Sequence, residues 1–502
     1  MKNFKTLLTH ELQSQMKSFT FVVMIPVALV LSLLVTSLQV SSYKDRREVF
    51  EEQQRQSQEQ LNNMYFYSEL KVDVYMPPSP LSVFAKGLDE SIGNKITVSA
   101  LDVPELTATS QRSNVFIKLF NSIDITGIVR ILSIFIVLMA ACPIAQEREQ
   151  QTGKLIFANG AGRLEYYLSK YVALMAIAGI ITLITFIVPI IWMWFTPQVG
   201  LSLANIGSIV LMILSGILYL SVFILISLAI SAASPKISIA TLASLMVWIM
   251  LTYIYPFTVN SVIDRLVKLP SDNSVSEQIT QIDRDIYEKA VLFVVENDAN
   301  VNRGWCALLT SREVPGLILQ YNLAEKAYFE KAKKMLDYAM PVWFQRINQI
   351  MTIKEGQKKQ LLRKKEWYDR FAFFLPDRVF QSLCEQSAGT DYNFREKQFT
   401  EAAKSFRSVL IDYMQSRNGF GYPFFTQMPE SEMLDHYEEY PEAVVERYCK
   451  NENQVKLNAA DFPQFNMPQR SSGAMAWTGL LLMNLIFGAL SLRIYNKYVS
   501  FK

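Results

Sequence analysis

Two residue types that build catalytic and metal-binding sites are scarce in this sequence. Its 502 residues include 2 histidines, His10 and His436, and 4 cysteines with no CxxC pair. Because histidine-ligated metal centres and Ser-His-Asp triads depend on these side chains, we expect neither a metal site nor a catalytic triad. Cys306, Cys384 and Cys449 fall in one long segment. They can form at most one disulfide among themselves, and the sequence leaves open whether any pair is joined.

A nucleotide-binding loop is also missing from the sequence. A P-loop needs a glycine-rich turn that ends in Gly-Lys-Ser or Gly-Lys-Thr, because its backbone N–H groups hold the phosphates. The nearest string is QTGKL at 151–155, which lacks the upstream glycine and ends in leucine. We therefore expect that the chain itself binds no cofactor and is not an enzyme.

Charged residues are absent from several long apolar stretches, which indicates a membrane protein. A helix that crosses the membrane needs about 20 apolar residues, because the hydrocarbon core is about 30 Å thick and a helix rises about 1.5 Å per residue. The pattern predicts an all-α polytopic membrane protein with six transmembrane helices and a mostly helical extracytoplasmic domain built from two long loops. The predicted order is an amphipathic interfacial helix at 1–17, spans at 18–43, 125–146, 170–195, 205–231, 237–260 and 473–493, extracytoplasmic segments at 44–124 and 261–472, cytoplasmic residues at 147–169, and a cytoplasmic tail at 494–502.

Lysine and arginine in the short connecting segments predict the orientation of the spans. Such residues mark the cytoplasmic side when only short loops are counted. They occur in 1–17, in 147–169, in 232–236 and in the C-terminal tail, whereas the short turn at 195–205 has no charge. The pattern predicts that both termini lie in the cytoplasm and that the two long segments lie outside.

The second long segment carries helical rather than strand patterns. Apolar residues recur at helical spacing in 323–351 and in 396–416, and no sustained strand alternation is visible. The basic run at 354–370, KEGQKKQLLRKKEWYDR, is typical of a solvated helix face, so we expect no nucleic-acid partner. Attraction to anionic lipid headgroups is a second interpretation of this run.

Arg130 is the one ionisable residue predicted at membrane depth, near the outer end of the second span. Charge inside a membrane often marks a functional site, so Arg130 is a candidate for the mouth of a pore that meets an anionic substrate. The alternative is that its long side chain reaches the headgroups at the outer interface. The sequence leaves both interpretations open.

The segment between the second and third predicted spans, EREQQTGKLIFANGAGRLEYYLSK at 147–170, is densely charged. One interpretation is an ordinary cytoplasmic loop that follows the positive-inside rule. The other is a short helix with an apolar face, a break at NGAG, and a second amphipathic run that re-enters the membrane. That arrangement suits an element that lies along the inner surface and contacts a cytosolic partner.

This segment resembles the coupling region in permeases of type-2 ABC exporters, whose pattern is roughly E-[KR]-E-x-G-T-L-x-L-L-L-S-x-P-x-S-R. In that family the acidic pair and the helix that follows bind a cleft on the ATPase subunit. The sequence departs from the pattern at Gln151 in place of Gly, Gly153 in place of Leu, and Gly160 in place of Pro. The resemblance implies an ATPase-coupling role for Glu147, Arg148, Glu149, Thr152, Lys154, Leu155 and Arg163.

Two further stretches resemble motifs of one subgroup of these permeases, which has a large uncharacterised outer domain and lies near the permeases of multicopper-enzyme maturation. The stretch PPSPLSVFAKGLDE at 77–90 is similar to P-x-P-L-S-x-x-x-x-G-L, and the stretch at 375–399 contains the AGTD signature. The matching residues, for which the resemblance implies structural roles, are Pro78, Pro80, Leu81, Gly87, Ala388, Gly389, Thr390 and Asp391.

Together these resemblances imply the permease subunit of an ATP-driven exporter in a bacterial cytoplasmic (inner) membrane. ATP and Mg would bind a separate P-loop ATPase subunit. A second permease chain, identical or a sister, would complete the pathway, with membrane lipids around the pair. The alternative is a membrane-anchored scaffold or sensor whose outer domain binds a partner and which transports nothing. The sequence does not identify a substrate.

Overall fold

The structure, a computed structural model, is mostly helical. It describes residues 2–64, 70–87, 89, 93–107, 123–196, 199, 203–267, 272–297, 326–372, 374–417, 458–468 and 474–498. Six helical segments in this part of the chain are long and apolar enough to cross a membrane. They are Phe19–Asn62, Ile125–Glu149, Arg163–Trp194, Asn205–Ala233, Ile237–Leu266 and Trp477–Tyr498. The prediction of an all-α polytopic fold with six spans is confirmed.

The helices and strands are named in chain order. The helices are α1 (Lys2–Met16), α2 (Phe19–Asn62), α3 (Ile125–Ala141), α4 (Pro143–Glu149), α5 (Thr152–Ala158), α6 (Arg163–Trp194), α7 (Leu203–Ala233), α8 (Ile237–Ile249), α9 (Tyr255–Leu266), α10 (Asp272–Glu296), α11 (Lys326–Ala372), α12 (Pro376–Ala388), α13 (Phe399–Ser416) and α14 (Ala474–Tyr498). The strands are β1 (Lys71–Tyr75), β2 (Lys95–Ser99) and β3 (Leu106–Thr107). A π-helical turn, Met250–Ile254, joins α8 to α9, and another, Asn393–Gln398, precedes α13.

Different segments of the chain meet at the two ends of the helical bundle. At one end, the Tyr495 hydroxyl in α14 donates to the carbonyl of Arg163 at the start of α6, at 3.1 Å. Helices α1, α4 and α5 lie here too, so we call it the terminal end. At the other end, the N–H of Thr126 in the first turn of α3 donates to the carbonyl of Phe84, at 3.2 Å. We call this the loop end.

Helix α2 continues far beyond the first predicted span. Its 44 residues correspond to about 66 Å of helix, roughly twice the thickness of a hydrocarbon core. The Ser18 hydroxyl caps its first turn by accepting from the N–H of Phe21, at 3.3 Å. The apolar first half of α2 lies in the bundle, and its charged second half extends past the loop end.

A small antiparallel sheet packs beside this charged half of α2. The strand order is β1-β2-β3, with Lys71 opposite Ser99 and Tyr75 opposite Lys95. One face of the sheet joins the apolar side of α13 in a separate hydrophobic core. The sequence analysis did not predict these strands, which lie in the first of the two long segments. Strands of two to five residues are too short to show sustained alternation in the sequence.

The two subgroup motifs meet at the loop end, which the sequence does not predict. The Ser79 hydroxyl donates to the carbonyl of Ala388 at 2.6 Å, and the Thr390 hydroxyl donates to the carbonyl of Ala85 at 2.9 Å. Pro80 begins a 3₁₀ turn, Pro80–Val83, in which Leu81 is buried. These two hydrogen bonds therefore hold the turn after Pro78 against the AGTD residues at the end of α12. We call this contact the lock.

Two glycines in these motifs have left-handed backbone conformations. Gly389 ends α12 with φ 68°, and Gly87 has φ 50°. A Cβ on Gly87 would lie 2.6 Å from the carbonyl oxygen of Thr390. Asp391 orders the next turn, because its carboxylate accepts from the N–H of Phe394 at 3.1 Å. These contacts give a physical reason for glycine at both motif positions.

A buried ion cluster at the loop end fastens two other segments to α2. The carboxylate of Asp89 pairs with Arg46 on α2 and with Arg395 from the π-helical turn before α13. Arg46 also donates to the Ser82 hydroxyl at 3.0 Å. Because buried charges are costly unless they are paired and hydrogen-bonded, this cluster favours one arrangement of three separate segments.

Helix α12 lies beside the middle turns of α7 rather than beyond its end. The ring of Phe380 stacks on Tyr219 with centroids 4.8 Å apart, and the Cys384 thiol lies 3.6 Å from the Ser215 hydroxyl. This part of the segment predicted to be extracytoplasmic, 261–472, therefore packs among the spans. Cys384 is a buried free thiol, while Cys306 and Cys449 lie outside the described residues.

We expect Gly87→Ala to destabilise the lock at the loop end by about 1–3 kcal/mol, because the new methyl group meets the Thr390 carbonyl in a left-handed backbone. Thermal unfolding of the purified chain in detergent would measure this loss. Gly356→Ala is the matched control, because no atom lies within 4 Å of its added Cβ and alanine favours a helix. Equal unfolding temperatures for the two variants would contradict the prediction.

One residue with an unusual backbone separates α4 from α5. Gln151 has φ 58° and ψ 11°, a left-handed conformation that costs most residues about 1–2 kcal/mol. Within the part of the chain that the structure describes, it is the one non-glycine residue with positive φ. This is the position at which the exporter pattern has glycine, so the sequence departure coincides with local backbone strain.

Substitutions at Gln151 should therefore follow backbone preference rather than polarity. We expect Gln151→Gly to unfold at the same temperature as the unchanged chain or slightly higher, because the relief of strain is partly offset by the freedom of glycine in the unfolded state. Gln151→Val should unfold at a lower temperature, because a β-branched residue resists positive φ. Gln150→Val, at an exposed position with φ −82°, is the control and should change little.

Candidate coupling site at the terminal end

A fully buried lysine joins three segments at the terminal end. The Lys170 side chain, in the second turn of α6, is 2% exposed. Its ammonium donates to the Glu11 carboxylate on α1 at 2.9 Å and to the Glu147 carboxylate on α4 at 2.5 Å. It also lies over the ring of Tyr166, 4.8 Å from the centroid. The ammonium of Lys170 thus connects α1, α4 and α6 through two ion pairs.

Both carboxylates of this cluster have further partners. The Tyr166 hydroxyl donates to the second oxygen of Glu147 at 2.5 Å, and the Gln15 amide donates to Glu11 at 3.0 Å. Burial raises the pKa of Glu11, but the positive charge of Lys170 and the two hydrogen bonds outweigh it, so the pKa lies below its usual range. An unpaired ammonium at this depth would be costly, and two satisfied carboxylates remove that cost.

Arg148 and Glu149 connect α4 to three other spans. Arg148 donates to the carbonyl of Ser234, just after α7, at 3.1 Å and to the carbonyl of Tyr498 in α14 at 2.8 Å. The Glu149 carboxylate accepts from the N–H of Ile237 at 3.0 Å, where α8 begins. A guanidinium at helix C-termini and a carboxylate at a helix N-terminus are both favoured by the helix dipoles. Each charge of the Glu147-Arg148-Glu149 sequence therefore contacts a neighbouring segment of this chain.

The rest of the predicted coupling residues divide between buried and exposed positions. Thr152 is half-buried, and its hydroxyl donates to the carbonyl of Glu147 at 3.4 Å. Lys154 and Arg163 are exposed, and the Leu155 side chain on α5 is 66% exposed. Leu164, which the sequence analysis did not select, is 57% exposed beside them. We call these four exposed residues, Lys154, Leu155, Arg163 and Leu164, the α5 face.

Sequence reasoning missed the centre of the site. It treated Lys170 as one of several basic loop residues and Glu11 as part of the polar side of an interfacial helix. A usable signal is the position of Lys170 at the edge of an uncharged run from 171 to 235, where a charge is unlikely to remain unpaired. The two partners, however, come from different segments of the chain, and spacing alone does not reveal them.

Arg130 lies at the loop end, away from this site. Its guanidinium is 3.4 Å from the Asp377 carboxylate and 3.5 Å from the Gln381 side-chain oxygen, both on α12. The Tyr219 hydroxyl approaches the other oxygen of Asp377 at 3.4 Å. An ion pair with α12 is thus the observed arrangement, and a role at a pore mouth stays a prediction. Among the described residues, no group of three or more His, Cys, Asp or Glu side chains is placed to hold a metal ion.

Comparison with known families gives one match that covers most of the chain. Residues 6–413 match the family described as "ABC-2 family transporter protein". The chain matches no curated protein and no solved structure. The matched region extends from α1 through five of the six spans to α13, and it includes the whole cluster around Lys170. The chain therefore belongs to the ABC-2 transporter family and is a multi-pass membrane permease.

Proposed function

We propose that this chain is the permease subunit of an ATP-binding cassette exporter and that a separate P-loop ATPase binds its α5 face. The observation that carries the proposal is the buried cluster of Glu11, Lys170 and Glu147. It connects an exposed element at the terminal end directly to a transmembrane helix. ATP and Mg belong to the ATPase subunit in this arrangement.

The α5 face has the chemistry of a protein-binding surface. Two leucines that are 66% and 57% exposed each follow an exposed cationic residue in the sequence, one pair on α5 and the other at the start of α6. Exposed apolar residues ringed by charge are typical of sites that a partner covers. The terminal end is also the end predicted to be cytoplasmic, where a soluble ATPase is accessible.

The charged residues of α4 contact four membrane-spanning helices, so a movement of α4 and α5 would be transmitted directly to each of them. Glu147 holds Lys170 of α6, Arg148 holds the ends of α7 and α14, and Glu149 holds the start of α8. The Glu147–Lys170 contact pairs two charges at a site from which water is excluded, so separating them is costly. Displacement of α5 by an ATPase would therefore shift several spans together rather than one.

The low burial of two spans supports pairing with a second permease chain. In the most apolar stretches of Ile237–Leu266 and Trp477–Tyr498, 17% and 22% of residues are buried, against 67% in Ile125–Glu149. An apolar helix with so little contact faces lipid or another protein chain. We propose that a second copy or a sister permease covers part of this surface.

We propose outward transport, with the outer domain at the exit, on the family membership and on the predicted orientation. The lock between 77–90 and the AGTD signature and the ion cluster at Asp89 support mechanical contact between the bundle and that domain. A passive scaffold or sensor would not need an exposed helix tied by charges to four spans. No observation selects a substrate.

The first test of this proposal is loss of the ATPase from a variant with an altered α5 face. We expect Lys154→Glu/Leu155→Ser/Arg163→Glu to lose a P-loop ATPase that co-purifies with the unchanged chain from native membranes, because only exposed residues change. The measurement is mass spectrometry and ATP hydrolysis of the purified complex. Lys289→Glu/Leu292→Ser/Arg284→Glu makes the same changes at exposed positions of α10. ATPase retained by the first variant, or lost equally by both, would contradict docking at this face.

Substitution of Lys170 should lower the folding stability of the chain without preventing the ATPase from binding. We expect Lys170→Met to lower stability by about 3–5 kcal/mol, because the Glu11 and Glu147 carboxylates lose their shared cation. Combining it with Glu11→Gln and Glu147→Gln should restore most of that loss, since no buried charge remains unpaired. Thermal unfolding measures both effects, and the ATPase should still co-purify with the triple variant. If Lys170→Met alone were as stable as the unchanged chain, the cluster would contribute little to the free energy of unfolding.

A further inference from the structure

We propose that the last turns of α11, residues 359–372, together with Phe374, lie on the membrane surface at the loop end and bind anionic phospholipid headgroups. This inference does not depend on the proposed ATPase or on transport. Two observations support it: the height of α11, meaning its position along the membrane normal, and the side chains found at that height.

Helix α9 gives the height scale, because it continues the span that begins at Ile237. A hydrocarbon core of about 30 Å takes up about 20 residues of helix, so this span leaves the core near residue 257. Asp264 then lies about 10 Å beyond the core boundary, at headgroup level. The Lys364 ammonium of α11 contacts the Asp264 carboxylate at 2.5 Å. Residue 364 therefore has the same height as the headgroups.

From Lys364 the chain runs toward the membrane. Thirteen residues later, Asp377 contacts Arg130 in α3 and Tyr219 in the middle of α7. The last turns of α11 must therefore cross the headgroup region between these two points. Residues 365–372 and Phe374 lie between headgroup level and the apolar core.

The side chains at this height have the composition of a membrane interface. Residues 359–374 contain five basic and two acidic side chains. Trp367 and Phe371 are exposed, and Phe374 is 65% exposed. The guanidinium of Arg370 lies over the ring of Trp367, 5.4 Å from its centroid. Exposed aromatic rings below cationic side chains are typical of interfacial helices that bind anionic lipid.

A purely solvated face does not account for this arrangement. Solvation explains the exposed Arg363 and Lys365, the second of which pairs with Asp369 at 2.5 Å. It leaves the exposed parts of three aromatic rings in contact with water, 36% of Trp367, 36% of Phe371 and 65% of Phe374. A lipid surface covers the rings and pairs the cations with phosphate in one contact. The neighbouring Phe257 on α9, 73% exposed at the core boundary, continues the same aromatic level.

Photo-crosslinking with the full chain in lipid vesicles tests the proposal. We expect photoactivatable phosphatidylglycerol to label 359–374 at least about fivefold more than photoactivatable phosphatidylcholine, since one basic residue at an anionic surface changes association about fivefold. Arg363→Gln/Lys365→Gln/Arg370→Gln should bring the two lipids close to equal labelling. Arg55→Gln/Lys71→Gln/Arg417→Gln removes the same charge from other exposed positions and should keep the preference.

Three results would overturn the proposal. Equal labelling of 359–374 by both lipids in the unchanged chain would show no preference for anionic headgroups. Absence of labelling by either lipid would place this surface in water or under a protein partner. Loss of the preference in inorganic phosphate, but not in chloride of equal ionic strength, would assign the site to free phosphate. If the charge variant does not fold, the comparison of the two lipids on the unchanged chain still decides.

Discussion

The ammonium of Lys170, held between two carboxylates, is the constraint on which the terminal end of the bundle depends. A lysine that is 2% exposed cannot lose both partners without a large desolvation cost, so α1, α4 and α6 stay together. The neighbouring charges of α4 add contacts to α7, α8 and α14. As a result, the residues that a sequence pattern assigns to docking divide into two groups. One group holds neighbouring segments of the chain together, and the other forms the exposed α5 face.

The spans could be predicted from the sequence because every helix that crosses a membrane must meet the same two requirements. Each span must satisfy its own backbone hydrogen bonds and avoid unpaired charge over about 20 residues, and both requirements appear as uncharged apolar runs. The apolar stripe of α13 was readable for a similar reason, since Phe399, Phe406 and Leu410 recur at helical spacing and are buried. These features are local, so periodicity and composition are sufficient to find them.

The features that were not readable all depend on contacts between distant segments. Thr390 and Ala85, Asp89 and Arg395, and Lys170 and Glu11 each come from separate parts of the chain. The position of α12 beside the middle of α7 is another case, because its polar surface resembles that of a soluble helix. Resemblance to a family indicated that the motifs at 77–90 and 375–399 matter, yet it did not predict that they contact each other.

The length of α2 has a mechanical consequence. This helix begins at the terminal end, crosses the membrane, and reaches the Asp89 ion cluster and the sheet without a break in its 44 residues. A tilt of about 5° around its first turn would move the far end of a helix about 66 Å long by about 6 Å. Small angular changes among the spans would thus become displacements of the outer domain as large as one helical turn. Helix α2 is thus one continuous element that joins the terminal end of the bundle to the sheet and to the Asp89 cluster.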